Sequence, residues 1–179
     1  GVLGDSVLNN WRVGAPPEAP GTHTLRCGLD FGYARDPAAF VLASYEARDK
    51  RLYVMKEFLQ AGLTNDLLAA RVKQLAGSLP VICDSAEPKS IAELRRHGIH
   101  ALPARKGPDS VLHGLQWLNQ LKIVLAPKCV HLREELLGCR WAEDGHGGFL
   151  PRPAGEDHLL DALRYAMERD SQGQAALAV

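Results

Sequence analysis

Three aspartates stand where folding alone would not choose them. Asp30 ends the apolar run Leu25-Arg26-Cys27-Gly28-Leu29, and Asp84 ends Val81-Ile82-Cys83. Asp161 lies beside the helical stripe of Leu159, Leu160, Leu163, Ala166 and Met167, with His158 and Tyr165 nearby. A carboxylate at the end of a core strand is costly unless it is paired, solvated or bound to a metal. Ligands of α/β proteins also gather at strand ends. Each aspartate has a plainer reading. Asp30 can cap a turn before Gly32, Asp84 can cap the following helix, and Asp161 can pair with Arg164 on a solvated helix face. Taken together, hard oxygen donors from separate elements are what Mg²⁺ or Mn²⁺ requires. Two such ions about 4 Å apart activate water and stabilise the leaving oxygen of a phosphodiester. The seven histidines include no H-x-x-x-H pair of the kind that binds zinc.

The elements that must position these residues follow from periodicity. Leu25 to Asp30, Ala38 to Tyr45 and Arg51 to Phe58 read as strands of a meander, the last two joined by Ala47-Arg48-Asp49-Lys50. Thr64-Asn65-Asp66 opens a helix running to about Ala76. Short strands at Pro80–Cys83, Ile99–Ala104 and Ile123–Leu125 then alternate with helices at Glu87–His97, Ser110–Leu121, Cys129–Leu137 and Asp157–Arg169. A meander followed by alternating strands and helices implies an α/β fold: a mixed sheet, antiparallel first and then parallel, with helices on both faces.

The chain has 179 residues, about one domain, with 46% hydrophobic and 23% charged residues. Lys plus Arg total 21 and Asp plus Glu total 21, which excludes a domain that grips nucleic acid by bulk charge. A local basic patch stays open. No run approaches the ~18 apolar residues of a membrane span, and no signal peptide is visible. Cys27, Cys83, Cys129 and Cys139 form no C-x-x-C pair and read as buried reduced thiols. Residues 1–24, with Pro16, Pro17 and Pro20 among glycines, read as a linker or N-terminal arm; residues 25–170 as the folded domain; and residues 171–179 as a fraying tail.

With these residues in view, the sequence resembles the nuclease domain of phage large terminases. Gly28-Leu29-Asp30-Phe31-Gly32 followed by Asp36-Pro37 is similar to the opening of that family. Cys83-Asp84-Ser85-Ala86-Glu87-Pro88-Lys89-Ser90-Ile91 is similar to its second acidic motif. Lys106-Gly107, with Ser110-Val111 and Gly114-Leu115, matches its lysine–glycine loop and following helix. His158-Leu159-Leu160-Asp161-Ala162-Leu163-Arg164-Tyr165 is similar to its closing helix. The motifs keep their order over about residues 25–169. The resemblance implies an RNase H-like fold and a metal-dependent endonuclease that cuts concatemeric double-stranded DNA during genome packaging. It implies that Asp30, Asp84 and Asp161 bind two Mg²⁺ or Mn²⁺ ions, that Asp36 is an accessory metal position, and that Glu87, His158 and Lys106 assist. A terminase ATPase domain in the full-length chain, a small terminase subunit and a portal protein are the implied partners, in the host cytoplasm. No G-x-x-x-x-G-K-[ST] loop is present, so the match is to the nuclease half alone.

Lys106, Arg105, Lys89 and Arg35 lie near the motifs and are candidate phosphate contacts. Three other readings compete. A junction resolvase or transposase-like enzyme would keep the fold and change the substrate. A sugar-kinase-like phosphotransferase would use Asp30-Phe31-Gly32 as a phosphate loop, although Tyr33 and Ala34 follow where Ser or Thr is usual. A packaging docking module would need no chemistry.

Overall fold

The computed structural model describes residues 6–32, 35–105, 107, 109–155 and 157–177. Its strands are β1 (Trp11–Val13), β2 (Leu25–Asp30), β3 (Ala38–Glu46), β4 (Arg51–Gln60), β5 (Val81–Cys83), β6 (Ala101–Pro103), β7 (Lys122–Leu125), β8 (Trp141–Glu143) and β9 (Phe149–Pro153). Its helices are α1 (Asn65–Ala76), α2 (Pro88–Arg96), α3 (Ser110–Leu118), α4 (Val130–Gly138), α5 (His158–Ala166) and α6 (Glu168–Leu177).

Among the described residues seven strands form one sheet in the order β1-β7-β4-β3-β2-β5-β6. The β2–β3 and β3–β4 pairs are antiparallel, and β2–β5, β5–β6, β4–β7 and β1–β7 are parallel. This is the mixed sheet that the sequence predicts. Strand β3 runs through its middle, and its alternating side chains feed two cores. Ala39, Val41 and Ala43 join Leu115, Leu118, Leu132, Leu136, Leu159 and Leu163 under α3, α4 and α5. Phe40 and Leu42 join Leu68, Val72, Ile91 and Leu94 under α1 and α2. Phe40 stacks on Phe58 with ring centroids 5.4 Å apart. All four cysteines are buried free thiols, and burial pushes Cys27, Cys83 and Cys129 up to about 12. Among the described residues no helix is long and apolar enough to cross a membrane.

The sequence and the structure part at both ends. The segment expected to be an arm, 1–24, contributes β1, an edge strand parallel to β7, and buries Val7 and Leu8 at 1% and 2% exposure. Asn10 anchors it, its Nδ2 donating to the Leu118 and Leu121 carbonyls at 2.8 and 2.7 Å. The proline-rich signal misled because it describes 14–21 and not the segment before it, whose apolar residues had too short a pattern to read. The expected fraying tail continues as α6, and the single closing helix expected over Asp157–Arg169 breaks at Met167 into α5 and α6. The β8–β9 hairpin, with a tight loop closed by Asp144 Oδ1 accepting from the His146 and Gly148 amides, lies in a stretch where no strand was expected.

Burial of the N-terminal segment has a measurable consequence. Replacing Leu8 with Ala leaves a cavity and should cost about 3 kcal/mol, read as a lower urea midpoint. A variant as stable as the parent would show that residues 6–13 are dispensable.

Candidate active site

Strands β2 and β5 run side by side in the same direction, with Leu29 opposite Cys83 and the Asp84 amide donating to the Leu29 carbonyl at 3.0 Å. Cys27, Leu29, Val81 and Cys83 point into the core under α1 and α2. Alternation therefore turns Gly28, Asp30, Ile82 and Asp84 to the opposite face, where α5 lies. Asp30 and Asp84 thus end neighbouring strands on one side of the sheet, next to the helix that carries Asp161.

Gly28 sets how near that helix comes. A β-carbon there would lie 1.8 Å from the Ala162 carbonyl oxygen and 2.8 Å from the Ala166 amide nitrogen. Only a residue without a side chain admits this approach of backbone to strand. Gly32, at φ 70°, turns the chain back directly after Asp30, and a side chain there would strike the carbonyls of Asp36 and Pro37 at 2.5 Å.

Burial and neighbouring charge both act on these carboxylates. Burial is the main force raising the Asp30 pKa, and the charge of Asp84 adds to it. The Gly32 amide (3.4 Å) and His158 Nδ1 (3.3 Å from Oδ2) oppose the rise. Asp161 is raised by burial first and by Asp30 and Asp157 after it, while Arg164 pulls it down through a contact of 3.2 Å to Oδ1. The Tyr165 hydroxyl is pushed upward by burial and then by Asp84, Asp161 and Asp30. One phenol therefore lies in the field of all three carboxylates. The Asp30 side chain is 12% exposed, whereas the Asp161 side chain keeps 37% of its surface open. Among the described residues no three His, Cys, Asp or Glu side chains are drawn closely enough together to enclose a metal ion by themselves. The arrangement is an open acidic edge rather than a cage.

The remaining residues singled out in the sequence occupy several different elements. His158 opens α5 and meets Asp30. Asp36 lines a polar cavity of about 170 Å³ with Phe31, Gln60, Asn65 and Ser90. Glu87 occupies the residue before α2, where its carbonyl accepts from the Ile91 amide at 3.1 Å and its side chain makes no cap. Asp84 does not cap α2 either; its Oδ1 accepts from the Ala86 amide at 2.9 Å. Lys89 is exposed on the first turn of α2, and Arg35 and Arg105 are exposed on loops. The Arg105 amide donates to the Glu168 carboxylate, holding its loop to α6. Lys106 lies outside the described residues.

Two residues that the sequence reading missed support the site from behind. Glu135 on α4 accepts from the Leu159 amide at 3.0 Å with each oxygen and from the Leu160 amide at 3.1 Å with Oε1. Glu57 on β4 does the same for α4, accepting from the His131 and Leu132 amides at 3.1 and 2.9 Å. Burial pushes Glu135 up to about 7 and raises Glu57, against the pull of those amides. The available signal was Glu57 directly before Phe58 and Leu59 in a core strand, but its facing could not be read without the strand's irregularity.

The family model for the terminase RNase H-like domain matches residues 30–169. A terminase large subunit of Bacillus phage SPP1 is 41% identical over 152 residues, 82% of this chain and 36% of that protein. The PBSX phage terminase large subunit of Bacillus subtilis is 32% identical over 147 residues, 80% of this chain and 34% of that protein. The chain thus spans about a third of the length of these curated relatives. The crystal structure of the nuclease domain of the SPP1 large terminase, which has bound Mn, superposes with a TM-score of 0.81 at 35% identity, covering 92% of this chain and 99% of that one. A mixed sheet that brings Asp30 and Asp84 to adjacent strand ends beside α5, together with a match over most of the chain, identifies it: the chain belongs to the terminase RNase H-like domain family.

Proposed function

We propose that this domain is a metal-dependent endonuclease that hydrolyses phosphodiesters of double-stranded DNA at the acidic edge of β2, β5 and α5, with two divalent ions, and that it serves a packaging terminase. The observation that carries this reading is geometric: Asp30 and Asp84 end neighbouring parallel strands on the sheet face against which α5, the helix of Asp161, is seated. Carboxylates gathered at one edge favour a cation that offsets their charge.

The residues fit Mg²⁺ or Mn²⁺. The carboxylates offer hard oxygens, and an open edge suits ions that keep several waters and take further oxygens from a phosphate. Ser85 Oγ, next to Asp84, is buried without a hydrogen-bond partner among the described residues, so a polar group remains to be satisfied in this turn. When bound, the ions would lower the pKa of a water and offset charge on the leaving oxygen.

The chain's own groups do the rest. Asp30, Asp84 and Asp161 would hold the ions. Asp36, whose backbone packs against the Gly32 turn, would serve as an accessory acid, and Glu87 lies just before α2. His158 Nδ1–H donates to Asp30 and fixes the rotamer of that carboxylate. Arg164 Nη2 donates to Asp161 Oδ1 from a largely buried position. Arg35, Lys89, Arg105 and Lys106 provide cations for the flanking phosphates. An ATPase domain in the full-length chain, a small terminase subunit and a portal would supply the remaining packaging functions.

Incubation of supercoiled plasmid with the purified chain tests this reading. Nicks and cuts should form with Mn²⁺ or Mg²⁺ and cease with chelator. In Asp84→Asn the rate should fall roughly a thousandfold, about 4 kcal/mol of barrier. Chelator-resistant cleavage, or full activity in that variant, would overturn it. Preference for branched over linear duplex would favour the resolvase reading.

A further inference from the structure

We propose that Glu135 is a positioning residue for the acidic edge: from α4 its carboxylate fixes the first turn of α5, and through that turn the placement of His158 and Asp161.

The first amides of a helix have no intrahelical acceptor and need one from elsewhere. At α5 the local candidate does not serve. Asp157 occupies the capping position without a side-chain cap, and its Oδ2 accepts instead from the Cys139 thiol at 3.3 Å. Leu159 and Leu160 are buried at 0% and 1% exposure, so water cannot stand in. Glu135 takes both amides, and the residue on either side of this pair is a site residue: His158 before it and Asp161 after it.

The same device recurs one step back. The residue before α4, Cys129, makes no side-chain cap, and Glu57 from the central sheet takes the amides of His131 and Leu132. The sheet therefore fixes α4, and α4 fixes α5, each through a bidentate carboxylate rather than apolar packing alone. Apolar packing permits a helix to slide by fractions of an ångström, whereas a carboxylate straddling two amides does not. Gly28 fixes the middle of α5 against the sheet, and Glu135 fixes its beginning. Two fixed points set both the height of the helix and its rotation, which is what a metal-binding carboxylate on it requires.

This inference rests on the metal reading above, and its test separates the two. Glu135→Gln keeps the size of the side chain but replaces one acceptor oxygen by a donor. In the metal-free variant, hydrogen exchange at the Leu159 and Leu160 amides should speed up while α1 amides stay protected. Calorimetric titration with Mn²⁺ alone should show affinity lower by about 10–100-fold, the usual effect of losing a group that orients a ligand. Val72→Ala, in the opposite core, should lower the melting temperature and leave both readouts unchanged. Unchanged amide protection in Glu135→Gln overturns the proposal. So does lost protection with wild-type Mn²⁺ affinity, which would make Glu135 a structural cap only. An equal loss of affinity in Val72→Ala overturns it too. Should Glu135→Gln fail to fold, Glu135→Asp, which is charged but one methylene short, is judged by the same readouts. A wild-type chain that takes up no Mn²⁺ at millimolar concentration would instead refute the metal reading itself.

Discussion

Asp30→Asn should make the metal-free domain more stable while lowering its metal-dependent cleavage by roughly a thousandfold or more, about 4 kcal/mol of barrier. The two effects have opposite sign because they share one cause. Asp30 is 9% exposed, and burial together with the Asp84 charge disfavours its ionised form. An asparagine keeps the local bonds. Its Oδ1 accepts from the Gly32 amide, and its Nδ2 donates to His158 Nδ1 in the other tautomer. It removes the charge that an ion needs.

The pH dependence follows the same sign. A carboxyl whose folded pKa is raised contributes stability that is complete below its unfolded value near 4 and is lost as pH rises through the folded value. Asp30, Asp161, Asp157, Glu57 and Glu168 are raised, and Glu135 reaches about 7. The metal-free wild type should therefore lose stability between roughly pH 4 and 7, and Asp30→Asn should lose less. Urea unfolding across that range with chelator present measures both. A destabilised Asp30→Asn would mean that the Asp30 charge is favourably paired in the fold, and the proposed strain at this edge would be absent.

Gly28→Ala should be the most damaging glycine-to-alanine change among the described residues. The added carbon would lie 1.8 Å from the Ala162 carbonyl oxygen and 2.8 Å from the Ala166 amide nitrogen. Both are backbone atoms, so no side chain can rotate away, and α5 itself must lift from β2. Overpacking of this kind costs about 3 kcal/mol or more, read as a lower melting temperature. The lift also carries Asp161 and His158 away from Asp30, so cleavage should fall further than the loss of folded protein explains. Activity per folded molecule, corrected by the unfolded fraction at the assay temperature, separates the two. Wild-type stability in this variant would mean that α5 does not sit on β2 as described.

Much of the fold was legible in the residues. The meander, the parallel strands after it and most helices follow from apolar periodicity, because a period of two or of 3.6 survives without knowledge of what lies opposite. Asp30, Asp84 and Asp161 could be singled out because a carboxylate next to a core run is chemically conspicuous wherever it is packed. Motif order then tied them to a family. Less was legible at the ends. Leu8 and Val7 belong to the core, yet their segment is too short for a period to form.

Strand β4 shows where sequence reasoning stops. Leu52, Val54 and Phe58 are spaced as one face of a strand. The register slips between Leu42 and Ala43, whose partners are Lys56 and Val54, so Met55 bulges out. Beyond the bulge the faces exchange: Phe58 enters the core under α1 and α2, while Glu57 and Leu59 turn toward α4. Nothing local marks that slip, since it arises from pairing with another strand.

The sequence by itself determined which residues can do chemistry here and which elements carry them, because residue type and short-range period are local properties. Only the tertiary structure decided how those elements are fixed to one another. The bulge that turns Glu57 inward, the reach of Glu135 to the first turn of α5, and the seating of that helix on Gly28 all depend on contacts between residues distant along the chain. A linear pattern carries no information about such distances until the chain is closed on itself.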